Sequence, residues 1–139
     1  MNSSYDTNYI SVDRIFCEKI EQKGKVIKCK KINKEEYFYV VTDGNGLHAH
    51  GKTIQEAKVD LKYKITKKDL SVYKNIDKDK KYSYDDCIVM YRSVTGACQY
   101  GVKQFIENNK IKKKSYSVNE IIKLTEGNYG NNTFINFFN

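Results

Sequence analysis

An α+β fold is predicted for this chain: a small antiparallel sheet of three or four strands covered by a helix, followed by an all-helical C-terminal half. Three observations predict it. Before Ala49, apolar residues partly alternate with charged ones, the period of a strand with one wet face. After Lys52, apolar residues recur at helical spacing behind serine and threonine caps. Between the two, Gly44, Asn45 and Gly46 supply a hairpin turn.

Along the chain, residues 1–12 are polar and expected to be loosely held. Arg14–Glu21 and Lys25–Ile32 flank Gln22-Lys23-Gly24 and read as a hairpin. Glu36–Asp43 has the strongest strand content by β-branched and aromatic residues, and Leu47–His50 returns as a short fourth strand. Thr53 stands three residues before Glu56, a capping box that opens a helix whose Ile54, Ala57, Leu61 and Ile65 form one stripe lying on the sheet. A lysine-rich loop follows over 67–82. Ser83 then caps a helix with Tyr84, Cys87, Ile88 and Tyr91 at i, i+3, i+4 and i+7. Thr95-Gly96 breaks it. The next helix places Cys98, Val102 and Phe105 on one face and Gln99, Lys103 and Gln104 away from it. Ser117 and Glu120 form another capping box, Val118, Ile121 and Ile122 point inward, and Gly127 stops that helix. Thr133–Phe138 is too apolar for a tail and is expected to dock as a last short helix.

At 139 residues one domain is expected, organised as 1–12, 13–66, 67–82 and 83–139. A charged share of 30% beside 40% hydrophobic residues excludes disorder throughout. Twelve tyrosines against six phenylalanines and no tryptophan suit both a small core and a contact surface. The absence of proline, with abundant Lys, Asn, Ile and Tyr, points to an AT-rich bacterial or bacteriophage genome. No apolar run is long enough to span a bilayer and no leader pattern opens the chain, so a cytoplasmic location without membrane contact is expected. Cys17, Cys29, Cys87 and Cys98 contain no CxxC pair and are expected to be reduced and mostly buried. Cys17 and Cys29 can face each other across the first hairpin, which leaves a metal site or a disulfide as the alternative reading of that pair.

Net charge is +8 and unevenly spread. Lys62, Lys64, Lys67, Lys68, Lys74, Lys78, Lys80 and Lys81 precede Tyr82 against Asp69, Asp77 and Asp79, and Lys110, Lys112, Lys113 and Lys114 form a second cluster. Such runs solvate loops; they also make a contact surface for phosphates or an acidic protein face. With Arg92, these lysines are the candidate partner-binding residues. Arginine is otherwise confined to Arg14, which weakens the case for base-specific DNA reading.

Chemistry is sparse. His48 and His50 lie at i, i+2 on an extended segment, and Asp43 alone among nearby Cys, Asp and Glu has ligand spacing, too few ligands for a metal site. Cys98 at a helix start with a histidine would make a nucleophile pair, but its place on the Val102–Phe105 stripe reads as core. Gly44, Gly46 and Gly51 lack the spacing of a phosphate cradle. No catalytic residue, metal or cofactor is expected. Helices 84–93 and 97–108, joined by a short break, have helix-turn-helix spacing, with Gln99, Lys103 and Gln104 available to a major groove; a DNA-binding regulator is the alternative.

Ala49-His50-Gly51-Lys52-Thr53-Ile54, Glu56-Ala57, Asp60-Leu61, Tyr91-Arg92, Thr95-Gly96-Ala97-Cys98, Gly101, Phe105, Tyr116-Ser117-Val118, Glu120-Ile121-Ile122, Thr125, Gly127, Tyr129-Gly130 and Thr133–Phe138 resemble an uncharacterised domain of bacteriophage and prophage proteins, one that often follows pentapeptide-like repeats. The likeness runs over about residues 36–138. No repeat array precedes it here, only the hairpin segment. The resemblance implies phage origin and, with it, an accessory role: a small protein that inhibits a bacterial host defence complex, as anti-CRISPR proteins do, by stoichiometric binding through basic loops. The expected partner is a host defence protein or nucleoprotein complex, with nucleic-acid contact a possibility.

Overall fold

The computed structural model describes residues 9–139; the loosely held terminus expected over 1–12 lies outside it for residues 1–8. Residues Tyr9–Val12 overturn the remainder of that expectation, because they form a strand whose Val12 is buried and whose Ile10 packs on the core. The chain divides into two compact units, one ending at Lys62 and one beginning at Tyr63. Each has its own buried apolar clusters.

The first unit is an antiparallel meander of five strands rather than three or four: β1 (Tyr9–Val12), β2 (Ile15–Lys23), β3 (Val26–Lys31), β4 (Tyr37–Thr42) and β5 (His48–Gly51), paired in chain order. The unforeseen strand is joined to β2 by Asp13 and Arg14, both in the left-handed region at φ 51° and 68°. That conformation is the usual work of Asn-Gly, so the turn carries no sequence signal. In β2 the register shifts between Lys19 and Glu21, leaving Ile20 as a bulge, 45% exposed, which interrupts the alternation of apolar and charged residues.

The sheet is apolar on both faces. Phe38 and Val40 of β4 join Val12, Cys17, Ile27 and Cys29 on one side, while the intervening register puts Val41 with Ala49 and Ala57 on the other. This explains the near-continuous hydrophobicity of β4. The second cluster is made by helix α1 (Ile54–Thr66), which packs Ala57 and Leu61 against Val41, Ala49 and Val26. Only half of the predicted stripe is used: Ile54 and Ile65 remain 38% and 49% exposed. The cap forms as expected, with the Glu56 amide donating to Thr53 Oγ1 at 3.1 Å, and the Glu56 carboxylate accepts from the Lys52 amide at 3.1 Å. Helix and strand approach so closely at this corner that a Cβ on Gly51 would stand 2.6 Å from the Ala57 amide nitrogen.

In the second unit the expected basic loop contains a 3₁₀ turn (Leu70–Tyr73) and strand β6 (Lys81–Tyr82), which pairs with β7 (Tyr116–Ser117). Helices α2 (Tyr84–Thr95), α3 (Gln99–Asn108), α4 (Val118–Leu124) and α5 (Asn131–Phe138) make up the rest. Ser83 caps α2, accepting from the Asp86 amide at 3.1 Å, and Gly96 ends it in the left-handed conformation. The Ser117–Glu120 capping box is complete in both directions. As expected, the apolar C-terminus docks: Phe134 is fully buried with Cys87, Met90, Tyr116, Val118 and Ile121, and Phe138 packs against the same cluster.

Candidate functional site: an apolar cleft beside a basic loop

The second unit contains a cleft of about 510 Å³ between α2, α3 and α4. Tyr84, Ile88, Val102, Phe105, Ile111 and Tyr116 are among the residues that line it, and no acidic or basic side chain does. Its size lies in the range of small-molecule sites, ~300–1,000 Å³. Burial pushes the Cys87 thiol and the Tyr84 and Tyr91 hydroxyls above their ordinary values, which favours the neutral form of these three groups. Asp85 adds to the effect on Tyr84, and Asp86 and Glu120 to that on Cys87.

The second basic cluster borders the cleft. Ile111 faces the cleft while Lys112, Lys113 and Lys114, beside it in the chain, are exposed. The loop is pinned at both ends: the Ile111 amide donates to the Ile106 carbonyl at 3.0 Å, and the Tyr116 hydroxyl donates to the Lys112 carbonyl at 2.7 Å. The Lys113 and Lys114 ammonium groups lie 5.9 and 5.3 Å from the ring centres of Tyr84 and Tyr116, both of which line the cleft. Pairing of β6 with β7 sets the end of the first basic segment beside the end of the second, with Lys81 opposite Ser117 and Tyr82 opposite Tyr116.

The other charges named from sequence divide by role. Lys62 and Lys64 lie on α1 rather than in a loop. Lys67, Lys74 and Lys80 stand over the rings of Tyr63, Phe137 and Tyr82 at 5.0, 5.0 and 5.6 Å, and Lys68 and Lys110 are exposed. Lys78 and Lys81 are tied into the fold. Lys78 donates to the Phe138 carbonyl at 3.0 Å, holding the end of α5, and Lys81 pairs with Glu120 at 3.0 Å. The Ser117 amide and the Lys81 ammonium together hold the Glu120 carboxyl below its usual range. Arg92 presents no charge to a partner: it is 5% exposed, its Nε donates to the Ala97 carbonyl at 3.1 Å, and its guanidinium lies 3.8 Å from the centre of the Tyr63 ring.

Cys98 departs from the core reading. It is exposed, lines the cleft, and is the N-cap of α3, its sulfur accepting from the Gly101 amide at 3.3 Å. A capping side chain turns back along the helix start and so leaves the apolar stripe that its spacing suggested. Cys17, Cys29 and Cys87 are buried free thiols, in keeping with the expectation for them. Cys17 and Cys29 do meet across the hairpin; burial first, then the neighbouring Cys17, pushes Cys29 up to about 12. Gln99, Lys103 and Gln104, the proposed groove readers, are half-buried.

In the first unit His50 Nδ1 lies 2.5 Å from Asp13 Oδ2, and Asp60 completes a group whose ligand atoms are all within 4.8 Å of one another. It is the one place among the described residues where three metal-ligating side chains converge. Asp13 and Asp60, far from His50 in sequence, were not read as its neighbours, whereas His48 turns to the Gly46 carbonyl at 3.3 Å instead. The contact ties the β1–β2 turn to β5 as an ordinary histidine–carboxylate pair.

No protein-family model, curated protein or solved structure matches this chain. Among the described residues, no helix is long and apolar enough to cross a membrane.

Proposed function

We propose that this protein is a phage-encoded binding module that inhibits a bacterial host defence complex in the host cytoplasm, acting by stoichiometric occupation and not by catalysis. The observation that carries the reading is the meeting, at the β6–β7 pair of the second unit, of the ends of two lysine segments, residues 67–82 and 110–114. A rigid loop bearing exposed lysines offers an acidic protein face or a phosphate backbone an organised set of cations at little ordering cost. The phage resemblance supplies the biological class; the lysines supply the contact.

The test is affinity capture from bacterial lysate with the purified protein as bait. A defence nucleoprotein retained in fixed ratio, and lost on reversing Lys112, Lys113 and Lys114 to Glu, is the expected result. Capture unchanged by that reversal overturns the basic contact. A shift of a specific promoter fragment by the protein alone would replace the reading with the regulator alternative.

A further inference from the structure

We infer that the cleft of the second unit is a binding site for an anionic amphiphile, a carboxylate carried on a flexible alkyl chain. Three features of the site converge on that chemistry. The cavity, about 510 Å³, has the size of a small-molecule site, and its wall is aliphatic and aromatic with no side chain of formal charge. A charged head therefore has to stay at the mouth while an apolar tail fills the interior, where each methylene removed from water contributes favourably. Positive charge stands beside the cleft. Lys113 and Lys114 stand over Tyr84 and Tyr116, their positions fixed by the pinned loop that also contributes Ile111 to the wall. A carboxylate is accordingly drawn to these two ammonium groups, which repel a cationic head. The site stands independently of the host-partner reading, because it requires nothing but the protein itself.

Cys98 provides the measurement. It is exposed and lines the cleft, whereas Cys17, Cys29 and Cys87 are buried, so a soluble maleimide reports on the cleft through a single fast-reacting thiol. Dodecanoate, used below its micellar concentration, is expected to slow alkylation of Cys98 at least tenfold. Dodecanol and dodecyltrimethylammonium should need roughly tenfold higher concentration for the same protection, one decade of affinity being the scale of a single well-placed charge interaction. Reversing both Lys113 and Lys114 to Glu, at exposed positions that leave the core intact, should remove the preference for the carboxylate over the alcohol. Absence of protection by dodecanoate overturns the inference, as does equal protection by all three amphiphiles or a carboxylate preference that survives the double reversal. Protection by an acidic, apolar helical peptide but not by dodecanoate also overturns it, and identifies the cleft as a protein-docking groove.

Discussion

Single residues carry the second unit's core and the first unit's alkaline limit. Phe134 is fully buried, with its ring 5.1 and 5.0 Å from those of Tyr91 and Phe138. Truncation to alanine leaves a cavity among rigid aromatic neighbours, so Phe134→Ala should cost about 3–5 kcal/mol in chemical denaturation. The Cys29 thiol, pushed up to about 12 by burial and by Cys17, gives stability a direction with pH. Below its ordinary value of 9.0 the thiol is protonated in both folded and unfolded chains, and its contribution is complete. As pH rises from 9.0 toward 12 the unfolded chain ionises first, so the folded state loses ground over that window. Thermal unfolding followed across it should show a falling midpoint, with a shallower fall in Cys29→Ala. An identical slope in the variant would assign the alkaline limit to another group, with Cys17, whose thiol burial also pushes up, the first to test.

At the scale of elements, caps and close approaches decide where the helices sit. Ser117 is 5% exposed and accepts the Glu120 amide at 3.1 Å, while Glu120 returns the bond to the Ser117 amide at 2.9 Å. Ser117→Ala should therefore destabilise by about 1 kcal/mol. The Glu120 carboxylate, held low by the Ser117 amide and Lys81, adds stability that is present above the unfolded carboxylate range and lost as pH falls through its lowered folded value. In the first unit, helix α1 starts almost in contact with β5. Any side chain at Gly51 meets the Ala57 amide nitrogen at 2.6 Å, a backbone atom that cannot swing away. Gly51→Ala is expected to cost roughly 2 kcal/mol or more by forcing the helix off the sheet. A stability within error of the parent would show that the corner opens freely.

For the molecule as a whole, charge is separable from folding. Lys112, Lys113 and Lys114 are exposed, and Lys113 and Lys114 lie over ring faces of residues that line the cleft, so reversing all three to glutamate should leave the unfolding midpoint nearly unchanged. Capture of an acidic partner by the parent protein should weaken about tenfold or more between ~50 and ~200 mM salt, as screening and counterion competition grow. Lys78 and Lys81 behave differently. They hold the α5 terminus and the α4 capping box, and their reversal should lower stability before it reports on binding.

The order of secondary structure was legible in the sequence because its determinants are local. Thr53 with Glu56, Ser83, and Ser117 with Glu120 announce helix starts through bonds spanning three residues, and the final apolar run announces a docked helix by composition alone. The first strand was not legible, since Asp13 and Arg14 turn without glycine, and neither was the bulge at Ile20. The site was decided by tertiary structure. Three helices and a loop converge to make the cleft, and Cys98 lines it as a helix cap instead of lying on its stripe. Elsewhere in the second unit Arg92 is buried against the Tyr63 ring, and in the first unit Asp13 and Asp60 meet His50. Spacing within a helix sets which residues share a face; what that face meets depends on burial and charge supplied by residues elsewhere in the chain, which no local pattern encodes.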